Sequence, residues 1–371
     1  MKKTQLTLVS FLLFAVFLFI SCQKETTTDP NQPLLDRMKS ACDSVIKNTP
    51  VPGLVALVVD HKKGIDWLYA AGVSNKVTKA PMDVNHTFRI ASNTKTFTGT
   101  VLLQLVDEKK LALNDKLSKY FPQYPNSDLI TLTMLANMTS GLFDYFDDAR
   151  WVSAIKTTPL RVWKPGEIAD LSFSQPLLFQ PGSQFKYTNT NIILLGMVIE
   201  KVTGKPLETE INDRIIAPLQ FKNTGYLTSG TGLPGNHGRG YDFEDIGISG
   251  DVTESFDVSN SGAAGAAYST PREMQKYVER LVEGGFLSDS LQFRRLNKDY
   301  SELSPIQSYG LCISKLETFY GHNGIIWGYT SSMYHSIDRQ CTVIIYYNVS
   351  QPSTQIPDNL FGKFFQILYA N

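Results

Sequence analysis

A chain of 371 residues, 42% hydrophobic and 19% charged, is long enough for one or two ordinary globular cores. Its 35 Lys and Arg residues balance 35 Asp and Glu residues, so the formal net charge is zero. Without a basic face or a block of like charge, nucleic acid is excluded as the expected partner.

Lys2 and Lys3 precede an almost wholly apolar run from Leu6 to Ile20. The run is shorter than the roughly 20 residues that span a bilayer, so residues 1–21 read as an export signal rather than a transmembrane anchor. It ends Phe19-Ile20-Ser21-Cys22, which resembles a bacterial lipobox, with Cys22 as the lipidated first residue of the mature chain. Residues 22–33 are polar and read as a tether from membrane to domain. The expectation is an exported, lipid-anchored protein facing periplasm or exterior. Gln23 stands where an inner-membrane retention Asp would be, which points to the outer membrane. Cys42, Cys312 and Cys341 show no metal-ligand spacing and read as packing residues or at most one bridge.

Apolar positions from Leu34 to Ile46 recur at three and four, an amphipathic helix that Pro50 and Pro52 end. Gly53–Asp60 and Ile65–Ala70 form a β-hairpin about the turn His61-Lys62-Lys63-Gly64, and Thr87–Ile90 is extended. Ser92–Lys110 is helical, with Phe97, Val101, Leu102, Leu105 and Val106 as its apolar stripe. Residues 111–270 are rich in helical patterns, among them Thr131–Asn137, Asn191–Val202 (closed by Gly204) and Leu207–Ile216. A helix from Pro271 follows. Strands return at Tyr309–Leu316, Glu317–His322, Thr330–Ile337 and Cys341–Tyr347, and Asp358–Ala370 is a closing helix. The fold class is therefore α/β (α+β): an antiparallel sheet flanked by helices, built from both chain ends, with an inserted mainly helical region. Residues 34–371 are expected to form one domain, with the helical insert at about 111–270.

Three segments carry chemistry. In Ala91-Ser92-Asn93-Thr94-Lys95, Ser92 and Lys95 lie one helical turn apart, a hydroxyl beside an amine able to take its proton if burial lowers the lysine pKa. In Lys186-Tyr187-Thr188-Asn189, a phenol able to relay a proton and an amide able to hold a carbonyl precede a helix. In Gly321-His322-Asn323-Gly324, Gly324 would let a substrate approach a strand edge, and the Ile325 N–H would join that of Ser92 as an oxyanion hole. Asp144, Tyr145, Phe146 and Trp327 flank these motifs as rim or packing residues. The histidines His61, His86, His237, His322 and His335 form no H-E-x-x-H pair, and neither a G-x-S-x-G elbow nor a G-x-x-x-x-G-K loop occurs. No metal or cofactor is expected.

The order Ser-x-x-Lys, Tyr-x-Asn, His-x-Gly, with 95 and then 135 positions between the lead residues, resembles the serine β-lactamase and penicillin-binding protein superfamily, closest to its class C β-lactamase and D-alanyl-D-alanine carboxypeptidase branch. The flanks Phe88–Lys95, Leu102–Asp115, Ile130–Leu142 and Ser261–Gly265 are similar too. The resemblance implies a β-lactamase/transpeptidase-like fold and an acyl-enzyme on Ser92. Lys95 and Tyr187 would shuttle the proton, with the base unassigned. Asn189, His322, Asn323 and Gly324 would bind substrate, and Ser92 and Ile325 would form the oxyanion hole. His322 stands where many relatives carry Lys, so its electrostatic help is expected to vary with pH. Asn323 and Ile325 lack the hydroxyls that hold a terminal carboxylate in peptidases of that branch, and no deacylating Glu of the class A type can be placed. The partners implied are a cell-wall peptide, a β-lactam or another small acyl substrate, plus a membrane through Cys22. The activities implied are D-alanyl-D-alanine carboxypeptidase-like, esterase or β-lactamase-like, or a penicillin-binding sensor that does not turn over.

Overall fold

The computed structural model describes residues 29–243, 249–350 and 356–370. The export signal and the lipidation site Cys22 lie outside the described residues. No helix among the described residues is long and apolar enough to cross a membrane.

The framework is an eight-stranded antiparallel sheet drawn from both ends of the chain. Its strands are β1 (Gly53–Asp60), β2 (Ile65–Gly72), β3 (Ser301–Ser304), β4 (Gln307–Tyr309), β5 (Ser314–Leu316), β6 (Phe319–Ile326), β7 (Tyr329–Ser336) and β8 (Cys341–Tyr347), in the order β2-β1-β8-β7-β6-β5-β4-β3. β1 shows why its sequence is a continuous apolar run instead of an alternating one. Val55, Leu57 and Val59 enter the core on one face, and Leu54, Ala56 and Val58 enter a second core on the other. Both faces are covered, so neither set can be polar.

Five longer helices place the rest: α1 (Gln32–Asn48), α2 (Thr94–Asp107), α3 (Asn189–Thr203), α4 (Pro271–Glu283) and α5 (Ile356–Tyr369). α1 and α5 pair across the second core, while α4 packs on the opposite face against β7 and β8. α2 and α3 pack together in the helical region between β2 and β3.

Several expectations are corrected. The tether does not reach Pro33, because α1 already begins at Gln32, with Pro33 in its first turn where a missing N–H is harmless. Tyr309–Leu316 is not one strand: Cys312 takes a left-handed backbone (φ 55°) and gives its N–H to Ala136 O at 2.9 Å, which separates β4 from β5. His322 and Gly324 lie within β6 itself, which runs on past His322 to Ile326. The helix begins with a 3-10 turn at Ala91–Asn93, and α2 is buried on every side instead of along one stripe. Its threonines make that burial tolerable. The hydroxyls of Thr94, Thr96 and Thr100 donate to carbonyls three or four residues back, at 2.6–2.7 Å, and Thr98 donates to Ala263 O at 2.8 Å. Cys42, Cys312 and Cys341 are buried free thiols.

Candidate active site

Ala91 holds a left-handed backbone (φ 49°) at the entry to the 3-10 turn, and the turn lies against β6. Asn93 clamps it from beneath, donating to Ile90 O at 2.9 Å and to Ser331 Oγ of β7 at 2.8 Å. Gly324 makes the approach possible. A Cβ there would lie 2.6 Å from Ser92 N, 2.7 Å from Ile90 O and 2.8 Å from Ala91 Cβ, inside any normal contact. The close fit brings the Gly324-Ile325 backbone alongside Ser92, and both Ser92 and Ile325 line the adjoining cavity. Gly324→Ala is therefore expected to push the strand and the turn apart. Thermal melting should fall by several degrees, about 1–3 kcal/mol of overpacking, and the acylation rate should fall further than melting alone explains.

Lys95 sits one turn into α2 and is fully buried. Its Nζ donates to Ser92 Oγ at 2.8 Å, to Asn189 Oδ1 at 2.8 Å and to Ala264 O at 2.9 Å. Burial lowers its pKa to about 7, with the Asp144 charge opposing that fall. Near neutral pH the amine is therefore bare for a substantial part of the time.

Tyr187 precedes α3, whose N-cap Thr188 accepts from Thr190 N at 3.2 Å. Its ring centroid lies 5.0 Å from Lys95 Nζ, and the Ser92 side chain acts on its hydroxyl, opposing the rise in its pKa. Burial drives the Tyr187 pKa well above the usual phenol value, so it remains a phenol where Lys95 is half deprotonated. Asn189 opens α3, and both its N–H and its Nδ2 donate to Asp144 Oδ2, at 3.1 and 3.0 Å. The structure thus joins Ser92, Lys95 and Asn189 by hydrogen bonds and sets the Tyr187 ring against the same amine.

His322 behaves differently from the sequence expectation. It is 2% exposed, its Nδ1 gives a proton to Asn323 O, and its Nε2 accepts from the Tyr309 hydroxyl at 3.1 Å. Burial first, and the nearby Lys95 charge second, lower its pKa to about 3. His322 is therefore neutral across the working range and supplies no pH-dependent positive charge. Asn323 and Ile325 are exposed, and Ile325 lines the cavity beside Ser92.

That cavity, of about 290 Å³, is walled on one side by aromatic rings. Phe146 stacks on Trp151 (centroids 4.5 Å apart), Trp151 on Trp327 (5.9 Å), and Phe256 meets Trp327 edge-on (4.8 Å). Phe146 and Trp327 thus line the site, whereas Tyr145 is buried beneath it and donates to Asn260 O at 2.7 Å. Among the described residues, none that lines the cavity is charged. Trp151, Tyr309 and Phe256 were not singled out from the sequence, because no local pattern ties them to the motifs. Asp144 was, but only as a rim or packing residue; it is 9% exposed and anchors Asn189. Among the described residues, no group of three or more His, Cys, Asp or Glu could hold a metal ion.

Against this geometry stand the comparisons with known proteins. A family model described as Beta-lactamase matches residues 41–362. The D-aminopeptidase of Brucella anthropi is 27% identical over 341 residues, covering 87% of this chain and 62% of that protein. The chain spans between 34% and 62% of the length of the curated relatives it matches. A crystal structure of a D-stereospecific amidohydrolase from Streptomyces sp. superposes with TM-score 0.79 at 26% identity, covering 90% of this chain and 98% of that one. The D-amino acid amidase from Ochrobactrum anthropi SV3, complexed with L-phenylalanine amide, matches with TM-score 0.79 at 26% identity, covering 91% of this chain and 98% of that one.

Proposed function

The chain belongs to the beta-lactamase family, and from that premise we propose that it is a serine hydrolase working through an acyl-enzyme on neutral amides or esters with an apolar acyl part. Ser92 Oγ attacks the carbonyl carbon as its proton passes to the neutral amine of Lys95. The tetrahedral oxyanion is held by the N–H groups of Ser92 and Ile325. As the carbonyl–nitrogen or carbonyl–oxygen bond breaks, the Tyr187 phenol gives its proton to the departing amine or alcohol and takes in its place the proton that Lys95 holds, so Lys95 is neutral again. Water then attacks the acyl carbon, losing a proton to Lys95, and that proton returns to Ser92 Oγ as the acid leaves. The observation that carries this reading is the Lys95 amine at 2.8 Å from Ser92 Oγ with its pKa lowered to about 7. A lysine with an ordinary pKa would almost never be free to accept that proton.

The substrate class rests on charge. A substrate ending in a carboxylate calls for a cation or hydroxyls at the strand edge. Here His322 is neutral and turned to Tyr309, Asn323 and Ile325 carry no hydroxyl, and no described residue that lines the cavity is charged. The aromatic wall favours an apolar or aromatic side chain instead. The experiment is a panel of D- and L-phenylalanine amide, p-nitrophenyl esters of rising acyl size, a penicillin, and a peptide ending D-Ala-D-Ala. Turnover of the aromatic amide or the esters, well above the peptide, is the expected result. Faster release of D-alanine from the peptide would instead favour the D-alanyl-D-alanine carboxypeptidase-like reading on cell-wall peptides, and penicillin labelling without turnover would favour a sensor.

We also propose that the mature protein begins at a lipid-modified Cys22 and is held on a membrane facing periplasm or exterior. The support is the apolar run ending at Ser21-Cys22. Metabolic palmitate labelling of the full chain should be lost in Cys22→Ala, and an unlabelled parent chain would refute this address.

A further inference from the structure

We propose that Asp144 is a positioning residue that fixes which end of the Asn189 amide faces Lys95 and thereby aims the lysine lone pair at Ser92. The inference rests on the acyl-enzyme reading above and adds to it a group that touches neither substrate nor Ser92.

Lys95 Nζ has three partners, Ser92 Oγ, Asn189 Oδ1 and Ala264 O, at 2.8, 2.8 and 2.9 Å. An ammonium donates to all three. A neutral amine has two N–H bonds and one lone pair. If Ala264 O and Asn189 Oδ1 take the two N–H bonds, the lone pair has one direction left, toward the Ser92 hydroxyl whose proton must be removed. The Ala264 carbonyl can only accept. The Asn189 amide can do either: turned over about its last bond, it would present Nδ2–H to Lys95 and occupy the lone pair.

Asp144 forbids that turn. Its Oδ2 accepts from Asn189 N and Nδ2 at 3.1 and 3.0 Å, and its Oδ1 accepts from Phe146 N at 3.2 Å. A carboxylate has only acceptors, so it holds the NH2 end of the amide and leaves Oδ1 for the lysine. The bonds are formed away from water, where an unmet donor is expensive. Burial raises the Asp144 pKa, and the N–H groups of Asn189 and Phe146, the Lys95 charge and the start of α3 oppose that rise by favouring the carboxylate.

The carboxylate acts on proton affinity as well. The groups facing Lys95 are Asp144, Cys312, Tyr187 and His322, and those facing Asp144 are Lys95, Asp147, Tyr145 and Tyr187. Asp144 is the largest of the charges that raise the Lys95 pKa against burial. Neutralising it should let that pKa fall and move the acid limb of the reaction to lower pH.

The test measures the rate of Ser92 labelling by a fluorophosphonate across the pH range, in wild type, Asp144→Asn, Asn189→Ala and the double variant. Asp144→Asn should slow the plateau rate by about ten- to a hundredfold and lower the midpoint by on the order of one pH unit. On the Asn189→Ala background the same change should cost less than about twofold, because its effect passes through Asn189. A purely structural role would reduce both backgrounds alike and leave the midpoint in place, and that result, or a plateau within about twofold of wild type, overturns the proposal. Asp144→Ser is read by the same criteria if Asp144→Asn does not fold. An unlabelled wild type overturns this proposal and the acyl-enzyme reading together. A labelled wild type with an unaffected variant overturns this proposal alone.

Discussion

Ser92→Ala should abolish covalent labelling by fluorophosphonates and reduce hydrolysis of every substrate in the panel by on the order of 10⁶-fold in kcat, with the fold intact. The serine hydroxyl is the one oxygen that meets the Lys95 amine, the Tyr187 phenol and the cavity at once. Its removal leaves Lys95 two acceptors, Asn189 Oδ1 and Ala264 O, so the buried amine keeps partners and stability changes little. Intact-mass measurement before and after exposure to the probe reads the result directly. A labelled Ser92→Ala variant would show that another nucleophile does the work.

Lys95→Ala should slow acylation by about 10²–10⁴-fold while changing KM much less, since proton transfer is needed only as the transition state forms. The variant should also alter stability with a definite sign. In the folded chain Lys95 releases its proton near 7, against a reference value of 10.5 when exposed. Between those values the unfolded state binds more protons, so this group's contribution falls as pH drops from 10.5 toward 7 and is constant below. Lys95→Ala should remove that part of the slope of stability against pH. An equal loss in KM and kcat, or a slope unchanged from wild type, would count against a neutral buried amine.

Much of this was legible in the sequence where the physics is local. Ser92 and Lys95 are one turn apart, and Tyr187 and Asn189 bracket a helix start that Thr188 caps, so period and capping rules place each pair. The hairpin of β1 and β2 and the strands at the chain's far end follow from apolar runs broken by turns. What joins the motifs is not local. The bond from Lys95 to Ala264 spans 169 positions and that from Asn189 to Asp144 spans 45, and no periodicity encodes either. A single apolar stripe was expected for α2, and its pattern does not reveal that threonine hydroxyls returning to nearby carbonyls let the helix be buried on every side. His322 was read as a titrating residue because its type permits it, whereas its neutrality comes from burial first and from the nearby Lys95 charge second. The aromatic wall joins Phe146 of a 3-10 turn and Trp151 of the helix that follows it to Trp327, 176 positions on in the turn between β6 and β7, and that meeting exists only in three dimensions.

The central claim, that a lysine stripped of its proton activates Ser92, is tested most directly by the pH dependence of single-turnover labelling of the wild-type chain with a neutral fluorophosphonate. Titration of Lys95 predicts a rate that rises with pH through one ionisation centred near 7 and then levels off, with that rise absent in Lys95→Ala. A rate that is flat from acid to alkaline pH, or that climbs only near the ordinary lysine value, would contradict it.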